Sequence, residues 1–222
     1  MIPVGDTQIR GSGPGYVTYG LIALNIIVFI LMLTSNPQEV VNQYGVIPAE
    51  IVNGQDLITL ITSMFLHGGW YHLGSNMLFL WIFGDNVEHT LGHVLYLLVY
   101  LAGGIAASAA QILVNPASTI PSVGASGAIA AILGAYVVMF PHSRVKVLIF
   151  LGFTFLVTQV TALLFLGIWF VSQLFNGIGS LGVETAQTGG IAFWAHIGGF
   201  VFGLLVGFLF RGQAERFDYG RG

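Results

Sequence analysis

Residues 115–140 read NPASTIPSVGASGAIAAILGAYVVMF, and the stretch changes character at Ser126. Before it, Asn115, Pro116, Ser118, Thr119, Pro121 and Ser122 form a polar segment rich in turn residues. After it, Ala128 to Phe140 is an apolar helical run. Gly124-Ala125-Ser126-Gly127 therefore puts one hydroxyl at the N-terminus of a helix. From Ser126 to Phe140 that helix rises only about 21 Å, whereas a bilayer core is about 30 Å thick. It starts inside the membrane, so the loop before it must dip in. Irregular backbone is tolerated at that depth only where protein or water covers it, and Asn115, Ser118, Thr119 and Ser122 suit a wet cavity.

Composition agrees. The chain of 222 residues is 55% hydrophobic and 7% charged, against about 25% charged in soluble domains. It reads as an all-α polytopic membrane protein, a bundle of six transmembrane helices around a buried, water-accessible site. Besides the run at Ser126 to Phe140, the apolar runs are Tyr16 to Leu33, Tyr71 to Glu88, Val94 to Val114, Val147 to Phe175 and Ile191 to Phe210. The division is a cytoplasmic segment at 1–15, a membrane domain at 16–210 and a polar, frayed cytoplasmic tail at 211–222. Between the first two runs, the outer loop 34–70 contains pieces too short or too polar to span, which read as interfacial helices. The loop 177–190, rich in Gly, Ser and Thr, reads as mobile. There is no cysteine and hence no thiolate chemistry. No basic run exists to bind nucleic acid, and the N-terminus lacks the layout of a cleaved leader.

Orientation follows from the basic residues. With six helices, Arg10, Arg144, Lys146, Arg211, Arg216 and Arg221 all fall on one side. Glu39, Glu50, Asp56 and Glu184 fall on the other. The positive-inside rule makes the basic side cytoplasmic, with both termini there and the long loop outside. The location expected is the cell (plasma or inner) membrane.

Polar residues within the apolar runs face a cavity or a partner. His72, Asn76, Ser126 and His196 stand out. Counting from the cytoplasmic helix ends, Ser126 and His196 lie at about 21 Å, Asn76 at about 18 Å and His72 at about 24 Å. All four share one level. The last run also carries Gly199, Gly203 and Gly207 at four-residue spacing, with His196 on nearly the same face. Ser126, Ala130 and Gly134 give the Ser126 helix a small face too. Small faces let membrane helices pack closely, which would bring Ser126 to His196.

The chemistry is then nucleophilic: Ser126 attacks a carbonyl after His196, as general base, takes its proton. No carboxylate lies in an apolar run at this depth, so the arrangement reads as a dyad. The Ser126 backbone N–H, Asn76 and His72 are available as oxyanion donors. Each residue alone has a plainer reading: small residues around a serine as packing, His196 as a structural hydrogen-bonder, Gly199 and Gly203 as packing residues in any case. His67 reads as structural, and His89, His93 and His142 as interfacial. No His is followed by Glu, which excludes the HExxH zinc motif. Asp85 stands alone, against an aspartyl pair. A metal site from His67, His72 and His196 would leave Ser126 without a role. A membrane transporter is the alternative class, but neither a repeat nor paired broken helices are present.

At these residues the chain resembles the rhomboid family of intramembrane serine proteases, from about Tyr16 to Phe210. Gly124-Ala125-Ser126-Gly127 resembles its GxSG motif, Ala195-His196 its AH motif, and His72 with Asn76 its HxxxN pair. Gly84, Glu88 and Gly92 resemble its GxxxExxxG pattern, and His67 to His72 the strip before HxxxN. The resemblance implies regulated proteolysis of single-pass membrane proteins in or near their spanning segments, with no cofactor or metal. It also implies an oxyanion role for His72 and Asn76, and a structural hydrogen-bonding role for Glu88. It implies that 177–190 forms a cap and that the fifth helix is a lateral gate. A non-catalytic member of the fold, binding membrane proteins, is the further alternative. Two positions depart from the pattern. Ile58-Thr59 stands where many relatives have Trp-Arg, and Ala130 stands where many have an aromatic that stacks on the histidine. What holds the His196 ring is thus a question for the structure.

Overall fold

The computed structural model describes residues 2–7, 14–181 and 192–219, with side chains through Ala214. Strand β1 (Ile2–Asp6) precedes α1 (Tyr16–Leu33). The short helices α2 (Pro37–Tyr44), α3 (Pro48–Val52) and α4 (Thr59–Thr62) lie in the long loop. Then come α5 (Trp70–Leu91), α6 (His93–Val114) and α7 (Ser126–Met139). Strands β2 (Arg144–Phe150) and β3 (Phe155–Thr161) precede α8 (Ala162–Gly179) and α9 (Phe193–Tyr219).

Helices dominate, and among the described residues four are long and apolar enough to cross a membrane: α1, α6, α8 and the Phe193–Ala214 part of α9. Helix α7 has only 14 residues. Helix α5 has 22, but it buries Asn76, Asp85, Asn86, Glu88 and Thr90 along its inner face.

The chain is not all-α. Strands β1, β2 and β3 form an antiparallel sheet in that order. The run from Val147 to Phe175 is therefore not one helix: its first part is a hairpin turning at Gly152, whose φ is +91°. The local cue is the alternation Arg144-Val145-Lys146-Val147, charged residues out and both valines fully buried, the two-residue period of a strand. Thr161 ends the hairpin and caps α8, its Oγ1 accepting from the Leu164 N–H at 3.3 Å. Asp6 ties the sheet to the bundle by accepting from Asn86 Nδ2 at 2.9 Å and from the Tyr136 hydroxyl at 2.5 Å. At the other end of the chain, α9 continues past Phe210 to Tyr219 instead of fraying at Arg211.

Helix α7 is the axis, with every residue from Gly127 to Met139 buried. Helix α9 lies against it along a seam of missing side chains. A β-carbon on Gly199 would sit 2.2 Å from the Gly127 carbonyl oxygen, and one on Gly203 would sit 1.9 Å from that of Ala131. One on Gly134 would sit 2.2 Å from the Phe200 carbonyl. The seam thus centres on Gly127, Ala131 and Gly134, one position round from the Ser126-Ala130-Gly134 face, with Ala130 at its edge. Gly203→Ala is expected to force the two helices apart, at a cost of about 1–3 kcal/mol. Thermal unfolding in detergent would register this as a fall of several degrees in Tm; an unchanged Tm would show that the seam has slack.

The loop before α7 is held from outside. Val46 and Ser122 exchange two backbone hydrogen bonds at 3.0 and 2.8 Å. The Ala49 N–H donates to the Ser118 carbonyl at 3.0 Å, and the Gly124 N–H to that of Ser63 at 2.9 Å. The long loop thereby satisfies backbone groups that lipid could not.

Candidate active site

Ser126 is the first residue of α7, and its position depends on Gly124. Gly124 has a φ of +130°, and a β-carbon there would lie 2.7 Å from the His72 ring. Only glycine both adopts that backbone and leaves that space. The α7–α9 seam then brings His196 across, and Ser126 Oγ lies 2.8 Å from His196 Nε2, over 70 residues of sequence. The sequence-derived depth match corresponds to direct contact.

The other side of the imidazole is held by α8. His196 Nδ1 lies 2.8 Å from Gln173 Oε1. The Trp169 ring lies 5.9 Å from the His196 ring at an interplanar angle of 35°. Trp169 supplies the aromatic neighbour that Ala130 does not. Ala130 itself is fully buried in the packing of α7. Sequence reasoning missed both α8 residues. They are four apart and so share a helix face, and a glutamine in an apolar run was the available signal.

His72 and Asn76, four apart on α5, face the same cavity of about 790 Å³ as Ser126, His196 and Trp169. The Gly68 N–H approaches His72 Nδ1 at 3.4 Å. With Nδ1 accepting, Nε2 carries the ring proton and borders the space beside Gly124. Asn76 is buried, and its Nδ2 has no hydrogen-bond partner among the described residues. A buried amide without a partner is costly, and this one belongs to a residue that lines the cavity beside Ser126. His67 is fully buried and packs edge-on against His72 at 5.0 Å.

Glu88 lies at the far end of α5. Its carboxylate accepts from the Val17 and Thr18 N–H groups at 2.9 and 2.8 Å, capping the start of α1. His93, an exposed residue, has its Nδ1 2.6 Å from the same group, which ties it to α5. A β-carbon on Gly84 would meet Thr18 and Tyr96, and Gly92 turns α5 into α6 at a φ of +78°. Gly199 and Gly203 sit in the helix seam, and Gly127 faces Ala107 of α6. Ile58 is exposed and Thr59 buried, with Thr59 Oγ1 donating to the Asp56 carbonyl at 2.7 Å. Of the loop 177–190, α8 occupies the start through Gly179, and 182–190 lie outside the described residues. Among the described residues no group of three or more His, Asp or Glu converges as a metal site.

Comparison with known proteins agrees with this picture. A family model described as the rhomboid domain matches residues 54–213. The mitochondrial rhomboid protein 1 of Saccharomyces cerevisiae is 30% identical over 207 residues, covering 91% of this chain and 56% of its own length. Rhomboid protease GluP of Bacillus subtilis is 33% identical over 170 residues, covering 70% of this chain and 33% of its own. The human mitochondrial presenilin-associated rhomboid-like protein is 31% identical over 139 residues, covering 61% of this chain and 36% of its own. The chain thus spans about half or less of these relatives. With the family model over most of its length, and glycine-spaced helices carrying a serine and a histidine to one cavity, this membrane protein belongs to the rhomboid family.

Proposed function

We propose that the protein is an intramembrane serine endopeptidase, cutting the spanning segments of single-pass membrane proteins with Ser126 and His196 as a dyad. The observation that carries this reading is the 2.8 Å contact between Ser126 Oγ and His196 Nε2 on the wall of a cavity. Ser126 Oγ attacks the scissile carbonyl as its proton passes to His196 Nε2, and His196 returns that proton to the leaving amine. Water then hydrolyses the acyl-enzyme, with His196 again as base. The developing oxyanion is met by His72 Nε2–H, the Asn76 amide and the Ser126 N–H at the start of α7. The partnerless Asn76 amide supports that assignment.

The membrane arrangement is part of the same reading. Helices α1, α5, α6, α7, α8 and α9 are the six spans of a domain at 16–210. Helix α7 reaches only part of the way, and α5 keeps its polar residues inside the bundle. The exposed Arg144 and Lys146 of β2 lie on the cytoplasmic face of a cell membrane, and the active site opens to the opposite side.

The experiment is cleavage of a fluorescent single-pass substrate by protein purified in detergent. Wild type should release product and also react covalently with a fluorophosphonate. A wild type that binds substrate without either reaction would favour the non-catalytic reading. In the same assay Asn76→Ala should lower kcat by about 100- to 1,000-fold with little change in KM. A rise in KM at unchanged kcat would remove Asn76 from the oxyanion site.

A further inference from the structure

We propose that Gln173 is a positioning residue that fixes the tautomer of His196 through a directed hydrogen-bond chain along α8; this rests on the dyad reading above. The chain begins at the Trp169 backbone carbonyl, a group that only accepts. Ser172 Oγ lies 2.6 Å from it and donates to it. The hydroxyl proton being committed there, Ser172 Oγ accepts from Gln173 Nε2 at 3.1 Å. The same nitrogen lies 3.5 Å from the Trp169 carbonyl. Both neighbours therefore call for the nitrogen end of the amide, and the oxygen end faces His196 Nδ1 at 2.8 Å. Nδ1 must then carry the ring proton. Nε2 is left with a lone pair, and the Ser126 hydroxyl is the donor at 2.8 Å.

The polarity of four groups follows from one carbonyl. With the amide reversed, its NH2 would confront Nδ1 and the ring proton would move to Nε2. That tautomer points a donor at Ser126 and cannot take its proton. The same chain serves when His196 becomes an imidazolium, because the Nδ1–H bond to an amide oxygen strengthens as the ring gains charge. A neutral amide here does what a buried carboxylate would do, without placing a second charge in the membrane. Gln173 is largely buried, so water does not replace it readily. The base on α9 and the nucleophile on α7 thus depend on a third helix, α8, for their protonation state.

The test separates hydrogen bonding from packing. Gln173→Leu keeps the volume and removes the acceptor; Gln173→Glu keeps an acceptor at the same reach. Both are compared with wild type for kcat, KM, fluorophosphonate labelling rate and Tm. The expected result for Gln173→Leu is a fall of about 10- to 100-fold in kcat and in labelling rate, the weight of one hydrogen bond to a charged group. KM should hold, and Tm should fall by only a few degrees as Nδ1 loses its acceptor. Gln173→Glu should retain kcat within about threefold of wild type when it enters as the neutral acid, whose O–H donates on the Ser172 and Trp169 side while its other oxygen accepts from Nδ1. A packing role predicts the reverse order, with leucine tolerated and a buried glutamate damaging, and that order would overturn the proposal. Should Gln173→Leu not fold, Gln173→Met, also without a strong acceptor, is read in its place by the same criterion. A wild type that neither cleaves nor labels would overturn the protease reading and this one together. An active wild type with an undiminished leucine or methionine variant would overturn this one alone.

Discussion

Ser126→Ala is expected to reduce cleavage of a membrane substrate by about 10⁴- to 10⁶-fold, the scale at which serine hydrolases lose activity without their nucleophile. The fold should survive. The substitution deletes one oxygen at the first position of α7, where alanine is well tolerated in a helix. It leaves the α7–α9 seam at Gly127, Ala131 and Gly134 untouched. His196 Nε2 loses its partner but borders a cavity of about 790 Å³ with room for water. Tm should therefore move little, and fluorophosphonate labelling should vanish. Full cleavage by this variant would end the serine mechanism.

His196→Ala is the second large effect. An unassisted serine hydroxyl is a weak nucleophile at neutral pH. With its base gone, cleavage should fall by about 10⁴-fold or more, and labelling should slow in parallel. The two readouts matter together. Loss of cleavage alone would fit a fault in substrate binding, whereas loss of labelling by a small reagent locates the defect at the hydroxyl. Alanine also leaves Gln173 Oε1 and the Trp169 face without the imidazole, so some loss of Tm is expected here and not in Ser126→Ala. Labelling that persisted at the wild-type rate would remove His196 as the base.

Much of the bundle was legible from residue type alone, because lipid imposes a simple rule. Backbone polar groups must be satisfied within the segment, so long apolar runs become helices. The run Tyr16 to Leu33 coincides with α1, and Ser126 does begin α7. The rule fails where apolar content no longer implies burial in lipid. From Val147 to Phe155 the chain is as apolar as a span, yet it forms a hairpin, because its strands pair with each other and with Ile2–Asp6 from the far end of the sequence. Hydropathy does not see that partner. The seam was displaced by one residue for a related reason. Small residues run on both sides of α7, and only the approach of α9 selects Gly127 and Ala131 over Ser126 as the contact.

What the sequence by itself determined is the pair of groups and their common depth. A serine at the end of a polar loop, a histidine above three glycines, and helix rise per residue suffice to put both at one level. What only the tertiary structure decided is how the histidine is held. Gln173 and Trp169 come from a helix whose register depended on where the unforeseen hairpin ends, and their direction depends on how α8 packs against α9. The level of a side chain is a property of its own helix, counted along one axis. Its hydrogen-bond partners are a property of helix pairs, and rotation about those axes is set by packing that no single segment encodes.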